Sequence, residues 1–251
     1  LDIAPKDWKK LLDVPAADLL LIQSRLPFVP PFIEKNKKTA DVRGKVGGFG
    51  PVVDGKVLPN HPFDPSAPAI SRDKPLLVGW NEDEYTFFAW ERKDTESFQL
   101  DFDGLKKKLE PTYGADTYKL IAAYRKATPD ATAPEIFVAI SSISMMGLGS
   151  VDIAEKKARQ QGAPVYLYNF GYKSEKKIPG TDYAMGTPHA MDISFKFNNE
   201  IPPSDGSQPK ESFFGGNKPE RFVASRHFAE LWRSSGRTGQ GHLRRREARG
   251  Y

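Results

Sequence analysis

The sequence has 251 residues, of which 39% are hydrophobic, 27% charged and 12% aromatic, a profile that excludes disordered and collagen-like chains. With no cysteine, disulfides, thiolate zinc sites and cysteine nucleophiles are excluded as well. The net charge of +5 is concentrated at the end, where the last fifteen residues hold five arginines against one glutamate. The remainder is close to neutral and too balanced for a duplex-binding surface, which must neutralise many phosphates at once. No nucleic-acid partner is expected. Nor is a membrane partner, because unbroken apolar runs such as residues 19–22 and 75–78 fall far short of the roughly 18–20 residues that span a hydrocarbon core.

In chain order, Leu1-Asp2-Ile3-Ala4-Pro5 shows neither an initiator methionine nor a basic and apolar leader pattern, as expected of a chain that starts mid-protein. Two short helices follow, one through Trp8, Leu11 and Leu12, the second starting at Pro15 and carrying Leu19, Leu20, Ile22 and Leu26. A proline-rich break at residues 28–32 leads into a loop from 34 to 75, punctuated by Gly44, Gly47, Gly48, Gly50, Gly55, Pro59, Pro62, Pro65 and Pro68. Long loops of this kind in compact enzymes usually surround a site.

Pro75-Leu76-Leu77-Val78-Gly79 reads as a strand buried on both faces, with acidic residues directly after it. Helical spacing predicts helices over about 102–126 and 134–161. A second strand, Val165-Tyr166-Leu167-Tyr168-Asn169-Phe170, follows Gly162 at a helix C-cap position. A glycine- and proline-containing loop over 176–188 delivers His189, and a last helix spans about 220–235 with Phe222, Phe228, Leu231 and Trp232. Helices between apolar strands predict an α/β layer fold with a mostly parallel sheet, flanking helices and long loops. There is no internal repeat.

Several familiar motifs fail on chemical grounds. Residues 50–56 have the glycine and lysine spacing of a phosphate loop, but Val57 stands where a magnesium-binding hydroxyl is required and Pro51 removes an amide donor. Gly48-Phe49-Gly50 and Gly147-Leu148-Gly149 lack the third glycine of a dinucleotide fingerprint, and Asp101-Phe102-Asp103-Gly104 lacks the further ligands of a calcium loop. The four histidines show no paired spacing, so no metal and no cofactor is expected.

What remains is an acid after one strand and a histidine in the loop after the other. Open α/β sheets place their sites at the carboxyl ends of strands. There Glu84 could orient and charge-stabilise His189 as a general base, provided that the two loops converge. The plainer reading takes Glu82, Asp83 and Glu84 as an acidic first helical turn favoured by the helix dipole, and His189 as an ordinary loop residue.

The string Phe49-Gly50-Pro51-Val52-Val53-Asp54-Gly55-Lys56-Val57-Leu58-Pro59, then His61-Pro62-Phe63, then Gly79-Trp80-Asn81-Glu82-Asp83-Glu84, strongly resembles the type-B carboxylesterases, the family of bacterial carboxylesterases and cholinesterases. The resemblance continues through Pro164-Val165-Tyr166-Leu167-Tyr168 and Gly186-Thr187-Pro188-His189-Ala190-Met191-Asp192 and reaches about Gly239. It implies the C-terminal part of an α/β-hydrolase fold, acting on small-molecule esters. Residues 1–239 would be the C-terminal portion of the esterase domain, and 240–251 a basic tail outside the family pattern. Glu84 would be the acid, and His189 the base, of a Ser-Glu-His triad, while Asp83 and Asp192 would organise the loops. Tyr85 departs from the small residue usual after the glutamate. Relatives are often secreted or periplasmic in bacteria.

No G-x-S-x-G nucleophile elbow occurs in the sequence; Ser150, for example, has Leu148 two residues before it and Asp152 two after. The chain therefore resembles the part of the enzyme that follows the nucleophile, with two of three triad members. After Gly239, Gln240-Gly241-His242-Leu243-Arg244-Arg245-Arg246 replaces the family's aromatic, proline-containing stretch, as a reading-frame change or truncated gene model would produce; the functional alternative is a basic arm. Two further readings compete with the esterase: a non-catalytic cholinesterase-like binding or adhesion module, and a tail-led nucleic-acid binder. Retention of both Glu84 and His189 opposes the first, and the lack of an aromatic platform opposes the second.

Overall fold

The computed structural model describes residues 2–25, 53–199 and 219–237. The proline-rich break, the glycine-bearing stretch 34–52 and the basic tail lie outside the described residues. The chain divides into two units, Leu1–His61 and Pro62–Tyr251.

In the first unit the two expected helices form, but they differ in kind. Pro5–Asp13 winds as 3₁₀ turns, bent at Asp7 (φ −98°, ψ 21°), whereas Ala16–Arg25 is an α-helix, α1. Further on, Asp54 Oδ1 accepts the amides of Lys56 (2.9 Å) and Leu58 (3.0 Å), and Gly55 turns the chain at φ +76°. These two bonds hold the Asp54 carboxyl below the usual range. The stretch with phosphate-loop spacing therefore spends these amides on its own aspartate.

The second unit is built on one parallel strand pair. β1 (Leu76–Asn81) pairs with β2 (Val165–Phe170), in register from Leu76 opposite Val165 to Asn81 opposite Phe170. The pairing begins before the strands do: Arg72 O accepts the Ala163 amide at 2.8 Å, and the Leu76 amide donates to Pro164 O at 3.0 Å. The buried Lys157 ammonium clamps the same corner, donating to Ser71 O, Arg72 O and Gln160 Oε1. Gly79 permits the close strand approach, since a Cβ there would lie 2.2 Å from Tyr168 O. Most positions on both strands are half-buried, and Leu167 is 46% exposed, so burial on both faces does not hold. Among the described residues this sheet has two strands, too few to be enclosed by the helices packed on it.

Between the strands lie α2 (Glu84–Glu91), α3 (Phe102–Tyr113), α4 (Thr117–Ala127), α5 (Ala133–Ser142) and α6 (Leu148–Ala158). The single helix expected over 102–126 is two, because Pro111 has no amide to give and Gly114 ends the helix at φ +52°. The run over 133–158 is continuous, with a π-helical turn at Ile143–Gly147 joining α5 to α6. It starts at a capping box in which Thr132 and Glu135 satisfy each other's amides. By length and composition this run could cross a membrane, which counting unbroken apolar runs does not reveal, because scattered serines and glycines interrupt it. Here it serves as the core helix: Ile136, Phe137 and Ile140 pack with Leu105 and Leu109 of α3, and Val138 with Ala89 of α2 and Met185.

The expected loop over 176–188 contains an antiparallel hairpin, β3 (Ser174–Lys177) with β4 (Ala184–Gly186). Its strands are too short for an alternation signal, and Ile178, directly after β3, and Met185 of β4 are buried against α2 and α5. Then come α7 (Met191–Lys196), not expected from the sequence, and α8 (Pro219–Arg237), close to the helix expected over 220–235. Phe170, Met191 and Phe195 form a third cluster, with Phe228 against it.

Ile140 is 1% exposed at the α3–α5 contact. Ile140→Ala should cost about 2–5 kcal/mol in urea denaturation, against about 1 kcal/mol for loss of the cap in Thr132→Ala; equal costs would contradict the core role of α5.

Candidate active site

β1 ends on a polar residue, Asn81, which is 1% exposed. The next amide, Glu82 N–H, still bonds to Phe170 O at 3.0 Å, so the chain leaves the sheet directly beside the end of β2. α2 begins at Glu84, which is 5% exposed; as a carboxylate in a first helical turn it gains from the helix dipole. The acidic first turn and the acid site are thus one and the same residue, and the two sequence readings of Glu84 are compatible.

Both Glu84 oxygens are engaged. Oε1 accepts the Asn81 amide at 2.7 Å, and Oε2 lies 2.6 Å from His189 Nδ1. Residues 84 and 189 therefore meet within the range expected of an acid–base pair. With Nδ1 on the carboxylate, Nε2 is the nitrogen left to exchange a proton; the His189 side chain is 37% exposed. The Phe88 ring centroid lies 4.8 Å from the imidazole and that of Phe87 6.0 Å.

The loop bearing His189 is held residue by residue. Asp83 makes a two-point bond to Thr187: its amide donates to Thr187 O at 3.1 Å, and its Oδ2 accepts the Thr187 amide at 2.8 Å. Thr187 Oγ1 donates to Tyr172 O at 2.9 Å. Gly186, at φ +64°, passes so close to Asp83 that a Cβ would sit 2.3 Å from Oδ2. Asn81 Nδ2 donates to Pro188 O at 2.7 Å, and Ala190 takes a left-handed conformation (φ +67°) before α7 starts. Such a conformation costs a non-glycine residue about 1–3 kcal/mol and persists only where its surroundings over-determine it.

A second buried polar cluster supports α7. Asp192 accepts from Tyr168 Oη at 2.7 Å and pairs with Lys196 at 2.5 Å. Burial and the Asp192 carboxylate push the Tyr168 hydroxyl well above its ordinary range, so it stays a donor. On the outer side, burial works against the Lys173 ammonium, but its bonds to Asp83 (2.5 Å) and Glu82 (2.6 Å) outweigh that and raise its pKa. Asp83 and Asp192 thus organise the loops, as anticipated. The sequence reading gave Asn81, Thr187 and Tyr168 no part; for Asn81 the available signal was an amide closing an otherwise apolar strand.

His189 titrates above its ordinary value because the Glu84 bond favours the imidazolium; burial opposes this, and the charges of Glu84 and Asp192 reinforce it. Of the other histidines, His61 is exposed, His227 is exposed on α8, and His242 lies outside the described residues. Ser150 is buried with its hydroxyl on Gly79 O (3.2 Å) and Met146 O (2.9 Å), a tie between α6 and β1. Among the described residues there is no cluster of potential metal ligands.

A parallel strand pair with crossover helices sets an acid and a histidine beyond its carboxyl edge, where open α/β sheets carry their sites. A profile of the carboxylesterase family matches residues 15–233, and the chain belongs to that family. It is 29% identical over 153 residues to the phenmedipham hydrolase of Pseudarthrobacter oxydans, covering 60% of this chain and 28% of that protein. It is 28% identical over 145 residues to the liver carboxylesterase of Sus scrofa, covering 52% of this chain and 25% of that one. The structure superimposes on a crystal structure of a Geobacillus stearothermophilus carboxylesterase at pH 6.2 with a TM-score of 0.59 and 26% identity, covering 95% of this chain and 43% of the other. The chain thus spans between a quarter and a half of the length of these relatives.

The raised His189 pKa carries a definite sign. The folded protein favours the imidazolium, so the pair's contribution to stability is complete below the unfolded value of about 6.5 and fades as pH climbs through the raised one. In NMR titration of histidine-labelled protein, His189 should show its midpoint above 6.5, and Glu84→Gln should bring that midpoint down. A midpoint unmoved by Glu84→Gln would dissolve the pair.

Proposed function

We propose that this chain supplies the acid and base of a carboxylic ester hydrolase that works through a Ser-Glu-His triad, the serine being contributed by a segment that this sequence does not contain. The observation that carries the reading is the 2.6 Å contact between Glu84 Oε2 and His189 Nδ1, made across 105 residues of chain and set at the carboxyl edge of a parallel strand pair. Family membership and the two hydrolase relatives support the reaction class.

In the proposed reaction His189 Nε2 takes the proton from the serine hydroxyl as its oxygen bonds to the ester carbonyl carbon. Glu84 holds the ring in the tautomer with Nδ1–H and stabilises the imidazolium that forms. The imidazolium then returns the proton to the departing alkoxide, leaving an acyl-serine. Water repeats the sequence: His189 takes a proton from it, and the acid leaves as the serine recovers its own. Phe87 and Phe88 flank the imidazole and would bound the substrate beside it.

On its own the chain should hydrolyse short-chain p-nitrophenyl esters at close to the buffer rate, since its sequence carries no G-x-S-x-G elbow to supply the nucleophile. Joined to an upstream family half that carries the elbow, it should gain hydrolysis that His189→Ala abolishes. In the joined protein kcat/KM should rise with pH through the raised pKa of His189, because only the neutral ring accepts a proton. Robust hydrolysis by the isolated chain, lost in His189→Ala, would mean that it contains a nucleophile; a joined protein that folds but stays inactive would favour a non-catalytic binding module.

A further inference from the structure

Asn81 touches both members of the pair without belonging to it. Its backbone amide donates to Glu84 Oε1 at 2.7 Å, and its side-chain Nδ2 donates to Pro188 O at 2.7 Å, the carbonyl directly preceding His189. The second Nδ2 proton faces Asp192 Oδ1 at 3.4 Å. A single residue at the end of β1 thus grips the oxygen of the acid that the histidine does not use, and the backbone of the loop that carries the base.

The other end of the same amide is left out. Asn81 Oδ1 is buried and has no hydrogen-bond partner among the described residues. Rotating the amide would not relieve this, because Oδ1 would then face two oxygens, Pro188 O and Asp192 Oδ1. An unmet buried acceptor is destabilising, and an apolar side chain of similar shape would avoid the penalty. What the amide contributes in return is the fixed direction of Nδ2.

We propose that Asn81 is the positioning residue of the acid–base pair, setting the distance and angle between Glu84 and His189 by holding both from one rigid strand end. This rests on the reading of Glu84 and His189 as the acid and base. Three neighbouring rungs stitch the two loops: Asn81 to Pro188, Asp83 to Thr187, and Glu84 to His189. Asp83 has further partners in Lys173 and its own amide bond, so the middle rung is redundant. The Asn81 rung is the one adjacent to His189 and rests on one side-chain amide. Without it the Pro188 carbonyl keeps only the Met191 amide (3.2 Å), a bond within its own loop, and loses its tie to β1, so that His189 Nδ1 can shift while the Asn81 backbone amide still holds Glu84 in place.

The test uses the full chain and compares Asn81→Leu, Asn81→Ala and Glu84→Gln with the unaltered protein. The readouts are thermal unfolding, the His189 midpoint, and the downfield Nδ1 proton of a short imidazole–carboxylate bond, all in histidine-labelled protein. The charged groups acting on His189 are Glu84 and Asp192; neither is substituted in the Asn81 variants, and Asp192 keeps Tyr168 Oη (2.7 Å) and Lys196 (2.5 Å) as partners. The expected result is that Asn81→Leu stays folded while the downfield proton is lost and the His189 proton affinity falls about tenfold, one pH unit. A merely structural residue would do the reverse, lowering the melting temperature and leaving the midpoint in place. Should Asn81→Leu fail to fold, the unaltered protein still decides: one Asn81 Nδ2 proton must exchange slowly and couple to the Pro188 carbonyl, and absence of that coupling overturns the proposal. If Glu84→Gln lowers the midpoint and Asn81→Leu does not, the positioning role falls and the acid–base pair stands. If Glu84→Gln itself has no effect, the pair falls, and the positioning role with it.

Discussion

The parallel alignment of β1 with β2 makes both strands end at the same edge of the sheet, with Asn81 opposite Phe170. Every feature of the candidate site follows from that constraint. An antiparallel pair would send the two following loops to opposite ends, about 20 Å apart for strands of six residues. Parallel strands cannot be joined by a short turn, so the chain between them must cross over, and α2 to α6 occupy that crossover. The sequence distance of 105 residues between Glu84 and His189 is therefore a consequence of the geometry that brings them to 2.6 Å.

The crossover also supports the acid from behind. The end of α5 meets the start of α2, where Ser142 Oγ accepts the Tyr85 amide at 3.1 Å and the Tyr85 ring stands edge-on to Phe137 at 5.2 Å. Trp80 packs against Gly147 in the π-helical turn, where any side chain would crowd the indole. A core helix that is nearly all apolar thus fixes the start of α2, and with it the direction of Glu84. Here packing and chemistry are linked through a few backbone amides.

The site also carries features that are unfavourable in themselves. Glu84 is a carboxylate 5% exposed, Ala190 is left-handed, and Asn81 Oδ1 is buried without a partner among the described residues. Each is unfavourable taken alone, and each lies within three residues of Glu84 or His189. Around them the bonds are dense and paired, with Asp83 on Thr187, Tyr168 and Lys196 on Asp192, and Lys173 on the acidic turn. Strain of this kind is held only where neighbouring bonds over-determine the backbone.

Local sequence was enough for the two strands, for the last helix, and for the acid and histidine as candidates, because apolar runs, helical spacing and turn residues act over a few positions. It also excluded cysteine chemistry, and it lacks a serine elbow. Where it fell short, the cause was a single backbone turn or a set of contacts distant in the chain. The break at Gly114 depends on a left-handed turn; the hairpin at Ser174–Lys177 and Ala184–Gly186 depends on burial of Ile178 and Met185 under α2 and α5. The half-burial of β1 and β2 depends on what packs over them. Asn81 reads in the sequence as a polar residue at a strand end within the family-like string, with no role of its own. Its hold on Glu84 and on Pro188 exists only after β1 and β2 align, since hydrogen bonds across more than a hundred residues have no local pattern from which they could be inferred.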